Sequence, residues 1–359
     1  MIRFLHAADL HLDSPFQALS PEKAKARRQE QRQLLQDLAD LCNDEGCDLL
    51  LLPGDLLDAE AAWQDTVDAL CRALGACRAR VFIAPGNHDF YAPGSPYRRA
   101  PWPENVHIFT SNVPSSVVLE DLGAEVWGAA FTARTAPALL EGFQIRDRGL
   151  LNLMVLHGDA ETAGSPYNPI TPAQIAASGL DYLALGHIHA ASGLRRAGET
   201  AYAWPGCAMG RGFDELGEKG VYLGTLAPGD CRIEFRPLPG RRYEIVSVEA
   251  GEDPLAAVEA VLPPETGADI YRIRLTGACT PPDTRALYEA LAGRFFGLTI
   301  RDETARRREL WAERGEDSLK ALFLQALYDH PKRQEDPALA ELAAAVGMAA
   351  LEGREVPLD

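Results

Sequence analysis

Short apolar runs, each closed by a few polar residues, recur along the first 240 residues. Arg3 to Ala8 predicts a buried strand that ends at Asp9-Leu10-His11. Asp48 to Leu52 is a leucine run of the kind buried on both faces of a sheet, and it delivers Pro53-Gly54-Asp55. Val81 to Ala84 delivers Gly86-Asn87-His88-Asp89, Leu151 to Leu156 delivers His157-Gly158-Asp159, and Asp181 to Leu185 delivers Gly186-His187-Ile188-His189. Between the first of these runs the period changes. Ser20 and Pro21 supply an N-cap and a first-turn proline, and Leu34, Leu35, Leu38 and Leu41 then recur at helical spacing until Gly46. A second helix is predicted over about Ala62 to Cys77. The order β-α-β-α-β predicts an α/β fold with a parallel core.

Residues 90 to 104 combine prolines with Phe90, Tyr91, Tyr97 and Trp102, which predicts an ordered surface loop. Strands are expected near Val106 to Phe109, Val117 to Glu120 and Glu125 to Ala129, and a helix near Pro172. Three later β segments, Thr200 to Trp204, Gly220 to Leu226 and Arg232 to Pro237, are expected to close the layer in antiparallel fashion. Pro237-Leu238-Pro239-Gly240 reads as a linker. A small α+β unit follows, with strands at Tyr243 to Val248, Asp269 to Leu275 and Gly297 to Arg301 and helices at Asp253 to Leu262 and Pro281 to Phe295. Ser318 to Tyr328 and Pro337 to Leu351 read as helices of a tail. The expected domains are 1–240, 241–305 and 306–359.

Composition narrows the class. Among 359 residues 47% are hydrophobic and 24% charged, as in a globular protein. No apolar stretch approaches the roughly 20 residues that span a bilayer, and the first residues carry no signal-peptide pattern, so no membrane association is expected. Seven cysteines without a C-x-x-C pair read as reduced thiols of a cytoplasmic protein rather than a zinc cluster. The net charge of −17 argues against whole-surface attraction to nucleic acid. A local groove, a partner or bound metal can offset it.

Five strands therefore end in polar groups: Asp9 and His11, Asp55, Asn87 and His88, His157, and His187 with His189. Sites in α/β sheets form beyond the carboxyl ends of the strands, so these groups are expected to converge. Five of the eight histidines lie in this set; His6 and His107 read as satisfied strand residues and His330 as a surface residue. Imidazoles, carboxylates and an amide oxygen, without thiolate, suit divalent first-row ions. The groups are too many for one ion. Two ions sharing a carboxylate would use them all, and such a pair serves phosphate-ester hydrolysis.

The order Asp9-x-His11, Gly54-Asp55, Gly86-Asn87-His88-Asp89, His157, Gly186-His187-x-His189 resembles the calcineurin-like metallophosphoesterase superfamily. Within it, Ala8 to Pro15, Gly54 to Asp58, Pro205 to Glu215 and Gly217 to Gly220 are similar to the bacterial DNA-repair exonuclease group of SbcD and YhaO-type proteins. Met209 stands where that group usually places glutamine. The resemblance implies a metallophosphoesterase β-sandwich flanked by helices, followed by a capping domain and C-terminal helices. It implies that Asp9, His11 and His189 hold one ion and Asn87, His157 and His187 the other, with Asp55 bridging and manganese the metal. His88 would touch the scissile phosphate and Asp89 would orient it. Asp58, Asp13 and Asp159 are candidates for supporting carboxylates, solvent exposure being the alternative for Asp13 and Asp159. Arg211, ahead of Arg98, Arg99, Arg195 and Arg196, is the candidate phosphate contact. The implied partners are DNA and an SMC-like coiled-coil ATPase of the SbcC kind, which the tail helices could meet; a homodimer is a further candidate.

The expected activity is metal-dependent exonuclease or endonuclease hydrolysis of DNA in repair. A phosphodiesterase or phosphatase acting on a small nucleotide is the alternative, which the acidic charge favours. A scaffold without activity is the third reading, although no ligand is missing.

Overall fold

The structure, a computed structural model, describes all residues except 59–61, 163, 307–310, 312–313, 315–316, 352 and 354–359. Parts of the expected tail thus lie outside the described residues.

In chain order, β1 (Ile2–His6) leads to α1 (Pro21–Asp44), β2 (Leu49–Leu52), α2 (Gln64–Ala76) and β3 (Arg80–Ile83). The short α3 (Pro96–Arg99) lies in the aromatic loop and precedes β4 (Val106–Ile108). Next come β5 (Ser115–Leu119), β6 (Ala124–Ala129), β7 (Leu151–His157), α4 (Pro172–Ser178) and β8 (Tyr182–Gly186). Then follow β9 (Arg195–Ala197), β10 (Thr200–Ala203), β11 (Gly220–Ala227) and β12 (Asp230–Pro237). The Ser20 hydroxyl accepts from Lys23 N–H at the start of α1, Pro21 fills the first turn, and Gly46 at φ 61° takes the left-handed position that ends it.

Two six-stranded sheets result, ordered β12-β11-β1-β2-β3-β4 and β5-β6-β7-β8-β10-β9. Strands β1, β2, β3 and β4 pair in parallel, as do β6, β7, β8 and β10. The period of two sorts their side chains. Leu5, Leu50, Leu52, Val81 and Ile83 pack with Leu34, Leu38, Leu70 and Leu74 of α1 and α2. Ile2, Phe4, Leu49, Leu51 and Phe82 face the other way, onto Val126, Leu153, Val155 and Ala184 of the second sheet. The far side of that sheet buries Trp127, Met154, Leu156, Leu183 and Leu185 with Ile175 of α4. Each such aliphatic side chain contributes about 1.5–3 kcal/mol. The layers are helix, sheet, sheet, helix, the mixed α/β sandwich that the pattern and the resemblance implied.

One expectation changes. Of the three segments expected to close the layer in antiparallel fashion, only β11 and β12 do so, against β1 and each other. Thr200–Ala203 runs parallel to β8 in the second sheet, with the small β9 as its antiparallel neighbour. Strand β9 reads Arg-Arg-Ala and carries no apolar period, which hid it.

Beyond β12 lie β13 (Tyr243–Glu249), α5 (Pro254–Val261), β14 (Ile270–Thr276), β15 (Ala278–Cys279), α6 (Thr284–Leu291), β16 (Gly297–Asp302), β17 (Ala305–Arg306), α7 (Leu319–Tyr328), α8 (Lys332–Glu335) and α9 (Pro337–Leu351). By compactness the chain forms one unit of 1–245, 265–272 and 292–298, and a second of 246–264, 273–291 and 299–359. Within the second unit, Leu324 of α7 packs on Ala344 and Met348 of α9. Among the described residues, no helix is long and apolar enough to cross a membrane.

Candidate metal centre

Because β1, β2 and β3 run parallel to one another in one sheet and β7 and β8 in the other, the polar residues that follow them leave at the carboxyl ends of the strands. Hydrogen bonds from Asp9 N to Gly54 O (3.2 Å) and from His11 N to Asp55 O (3.0 Å) interlock the first two loops. The backbone there is unusual. Asp9, His11, Asp55 and His187 adopt φ of 52°, 42°, 49° and 102°. Each costs on the order of 1–3 kcal/mol unless its surroundings enforce it, and such residues gather where geometry serves function.

The strain brings electron pairs together. The ligand atoms of Asp9, His11 and His189 lie within 4.8 Å of one another, as do those of Asp9, Asp55 and His157. Hydrogen bonding fixes which nitrogens are bare. His11 Nδ1 lies 3.1 Å from Asp58 Oδ1, and His189 Nδ1 lies 2.8 Å from Glu215 Oε1. A carboxylate only accepts, so His11 Nδ1 carries the proton and His11 Nε2 is a lone pair, whereas His189 Nδ1 also meets the donor Arg211 Nη2 at 3.2 Å. The two Nε2 atoms face each other at 3.2 Å. Likewise His157 Nδ1 donates to Pro53 O (2.9 Å), which leaves Nε2 bare at 2.8 Å from Asn87 Oδ1. His187 Nδ1 comes within 3.2 Å of the same oxygen. Asp55 Oδ2 lies between the groups, 3.4 Å from His157 Nε2 and 3.8 Å from His11 Nε2.

Electrostatics points the same way. Burial, and then the charge of Asp55, push the Asp9 carboxyl well above its usual range. Burial and the charge of Asp89 push Asp55 up to about 7. Burial pulls His157 and His187 down to about 4, and His11, with Arg211 adding to the effect, well below its usual value. Protein alone leaves like groups in conflict. Divalent cations remove that conflict, and the nitrogen and oxygen donors fit such ions. Asp9, His11 and His189 would hold one, Asn87, His157 and His187 the other, with Asp55 facing both.

His88 sits at the rim with its side chain 38% exposed, its N–H held by Asp55 Oδ1 at 2.9 Å. The expected orienting role of Asp89 is not what the structure shows. The Asp89 carboxylate is buried and accepts from the N–H groups of Gly86, Asp55, Leu56 and Leu57 and from Tyr97 Oη at 2.5 Å. It welds the turn carrying Asn87 to the turn carrying Asp55. The carboxylate nearest the His88 ring is Asp58, whose Oδ1 lies 3.7 Å from Nδ1. Asp13 binds Trp63 N and Thr66 Oγ1, and Asp159 caps its own loop through Glu161 N and Thr162 N.

Arg211 lies beside the centre. It meets Asp58 Oδ1 at 3.3 Å and forks onto Glu215, with Nη2 to Oε1 at 2.6 Å. Burial would raise Glu215, but its hydrogen bonds to His189 and Arg211 outweigh that and hold it ionised. Arg195 and Arg196 instead serve Glu161 and Glu199 O, while Arg98 and Arg99 end α3. Sequence reasoning assigned no role to Glu215, Tyr97 or Asn168; the last donates to His157 O at 2.7 Å. The spacing of Arg211 and Glu215, four apart, was the available signal for the first.

Comparison with known proteins decides the family. The profile described as calcineurin-like phosphoesterase matches residues 2–191, more than half of the chain. The chain belongs to the calcineurin-like phosphoesterase family. It is 35% identical over 266 residues to "Uncharacterized metallophosphoesterase YhaO" of Bacillus subtilis (strain 168), a match that covers 70% of this chain and 64% of the relative. The chain thus matches less than two thirds of that relative. A solved structure, TT1561 of Thermus thermophilus, is similar at TM-score 0.41 and 15% identity, over 65% of this chain and 98% of that one. Candidate ligand groups for a metal thus lie at the rim of the sandwich in a chain of the calcineurin-like phosphoesterase family.

Proposed function

We propose that this calcineurin-like phosphoesterase hydrolyses phosphodiester bonds of DNA, as an exonuclease or endonuclease acting in repair, with two manganese ions. The observation that carries the reading is the convergence of ligand atoms, His11 Nε2 with His189 Nε2 and His157 Nε2 with Asn87 Oδ1, on either side of Asp55. A bound pair of divalent ions supplies a nucleophile at neutral pH and charge for the phosphoryl oxygens. His88, exposed beside the ligands, donates a proton to the leaving oxygen. Asp58 faces the His88 ring, and Arg211 is the cation within reach of an incoming phosphate.

The resemblance to the repair-exonuclease group supports DNA as substrate, with the strands and helices after residue 240 as its cap. Leu319 and Leu322 of α7 and Leu339 and Leu342 of α9 are exposed, which supports contact with a coiled-coil ATPase; a homodimer is the other candidate partner. All seven cysteines are free, which supports a reducing compartment, the cytoplasm. The net charge of −17 favours the second reading, a small nucleotide as substrate.

Incubation with manganese and labelled single- and double-stranded DNA, beside bis-p-nitrophenyl phosphate and cyclic nucleotides, separates the readings. Cleavage of DNA is expected. Turnover of the small esters with DNA left intact would transfer the assignment to the second reading.

A further inference from the structure

Trp204 is fully buried just past the end of β10 and offers no ligand for a cation, and yet its indole N–H reaches the centre's framework. Nε1 donates to Gly186 O at 3.2 Å and to Gly158 O at 3.3 Å. These carbonyls belong to the residue before His187 and the residue after His157. The peptide joining Gly186 to His187 is gripped at both ends. Its carbonyl accepts from Trp204 and from Gly158 N–H (3.2 Å), and its N–H points at both oxygens of Asp9, 3.1 Å away. The orientation of that plane sets φ of His187, which at 102° is the largest positive non-glycine φ among the described residues. Nothing larger than glycine fits at 186, where a Cβ would collide with Pro53 O. A strained peptide relaxes unless something holds it. Here one holding group is the indole of Trp204, whose backbone N and O exchange hydrogen bonds with Ser192 and whose ring lies under Arg195 at 5.4 Å.

We infer that Trp204 is a positioning residue for the ion held by Asn87, His157 and His187: its indole N–H keeps the Gly186–His187 peptide in the strained orientation that aims His187 inward and ties it to Asp9. The inference rests on the metal-centre reading above. It assigns the Trp204 side chain a role beyond core packing, because a ring without the N–H would fill the same space and lose the function.

The test is manganese binding, measured by calorimetry on the full chain. Trp204→Phe is expected to weaken one of two ions by about 10–100-fold, the range for partners that orient ligands, and to leave the other unchanged. Trp127→Phe is the matched control, since Trp127 Nε1 donates to Asn152 Oδ1 (3.1 Å) in the same sheet; both its ions should bind as in the wild type. Combined with His187→Ala, Trp204→Phe should cause no further loss, whereas with His189→Ala it should cause its full loss. Equal binding by Trp204→Phe and wild type, or a loss shared by Trp127→Phe, would overturn the role. Should Trp204→Phe fail to fold, benzothienylalanine at position 204, which keeps both rings and replaces the N–H with sulfur, is read by the same criteria. A wild-type protein that binds no manganese would overturn the metal-centre reading itself, a result distinct from those above.

Discussion

His6 and the histidines of the rim occupy the same sandwich and do opposite things. His6 lies between the sheets, where Nε2 donates to Leu185 O (3.1 Å) and Nδ1 accepts from Tyr182 Oη (2.9 Å). Both nitrogens are satisfied, and burial holds the ring neutral, its pKa lowered to about 3. At the rim, His11 and His157 each satisfy one nitrogen with an acceptor and leave the other bare, His11 Nε2 facing His189 Nε2 and His157 Nε2 facing Asn87 Oδ1. His6, His11 and His157 are equally buried, so burial does not tell structure from chemistry. Closure of the hydrogen bonds does. A bare nitrogen turned toward other ligand atoms marks a candidate site for a cation.

The largest effect should come from removing the group that both sides of the rim share. Asp55→Asn should weaken both ions by more than about 100-fold, the upper end for supporting partners, and abolish turnover; metal analysis after dialysis that finds only one ion lost would refute a shared role. His88→Ala should lower turnover by about 10²–10⁴-fold with both ions retained, because His88 lies at the rim without being needed to complete either set. Loss of the ions in that variant would move His88 into the ligands.

Next comes Glu215→Gln. It keeps an acceptor for His189 and Arg211 but removes the charge, so the ion held by Asp9, His11 and His189 should bind about 10-fold more weakly while the other is unaffected. Calorimetric titration with manganese checks it; an equal loss at both would dissolve the distinction between the two halves.

The smallest effect lies in the interior. His6→Gln should leave metal binding intact and cost about 1–3 kcal/mol of stability at pH 7.5. Its pH dependence carries the sharper signal. Above 6.5 His6 is neutral folded and unfolded, and its full contribution is present. As pH falls from 6.5 toward about 3 the unfolded chain takes up a proton that the folded ring refuses, so wild-type stability falls by up to about 1.4 kcal/mol per unit. The gap between wild type and His6→Gln should therefore narrow by about 2 kcal/mol between pH 7.5 and 5. Urea unfolding at both values, with chelator present, tests this, and a constant gap would show that His6 does not titrate as its burial demands.

Much of this was legible along the chain. Apolar runs closed by polar groups located β1, β2, β3, β7 and β8, because a strand buried on both faces needs an unbroken apolar stretch. The same runs marked where Asp9, His11, Asp55, Asn87, His88, His157, His187 and His189 would leave the sheet. Strand β9 was not legible, since Arg195 and Arg196 carry no burial signal, and neither was the placement of β10 beside β8. Pairing across a gap of many residues depends on which edge is free, which no local pattern records.

The residue types and their order along the chain therefore decided the class of chemistry: imidazoles, carboxylates and an amide, each at the end of its own strand. Only the folded molecule decided which nitrogens are bare, that Asp89 braces backbone rather than His88, that Glu215 supports His189, and that Trp204 grips the peptide before His187. The reason is physical. Chemical identity is carried by single residues, whereas a proton's position and a strained φ are set by partners far away in sequence, as Asp9 lies 178 positions from His187.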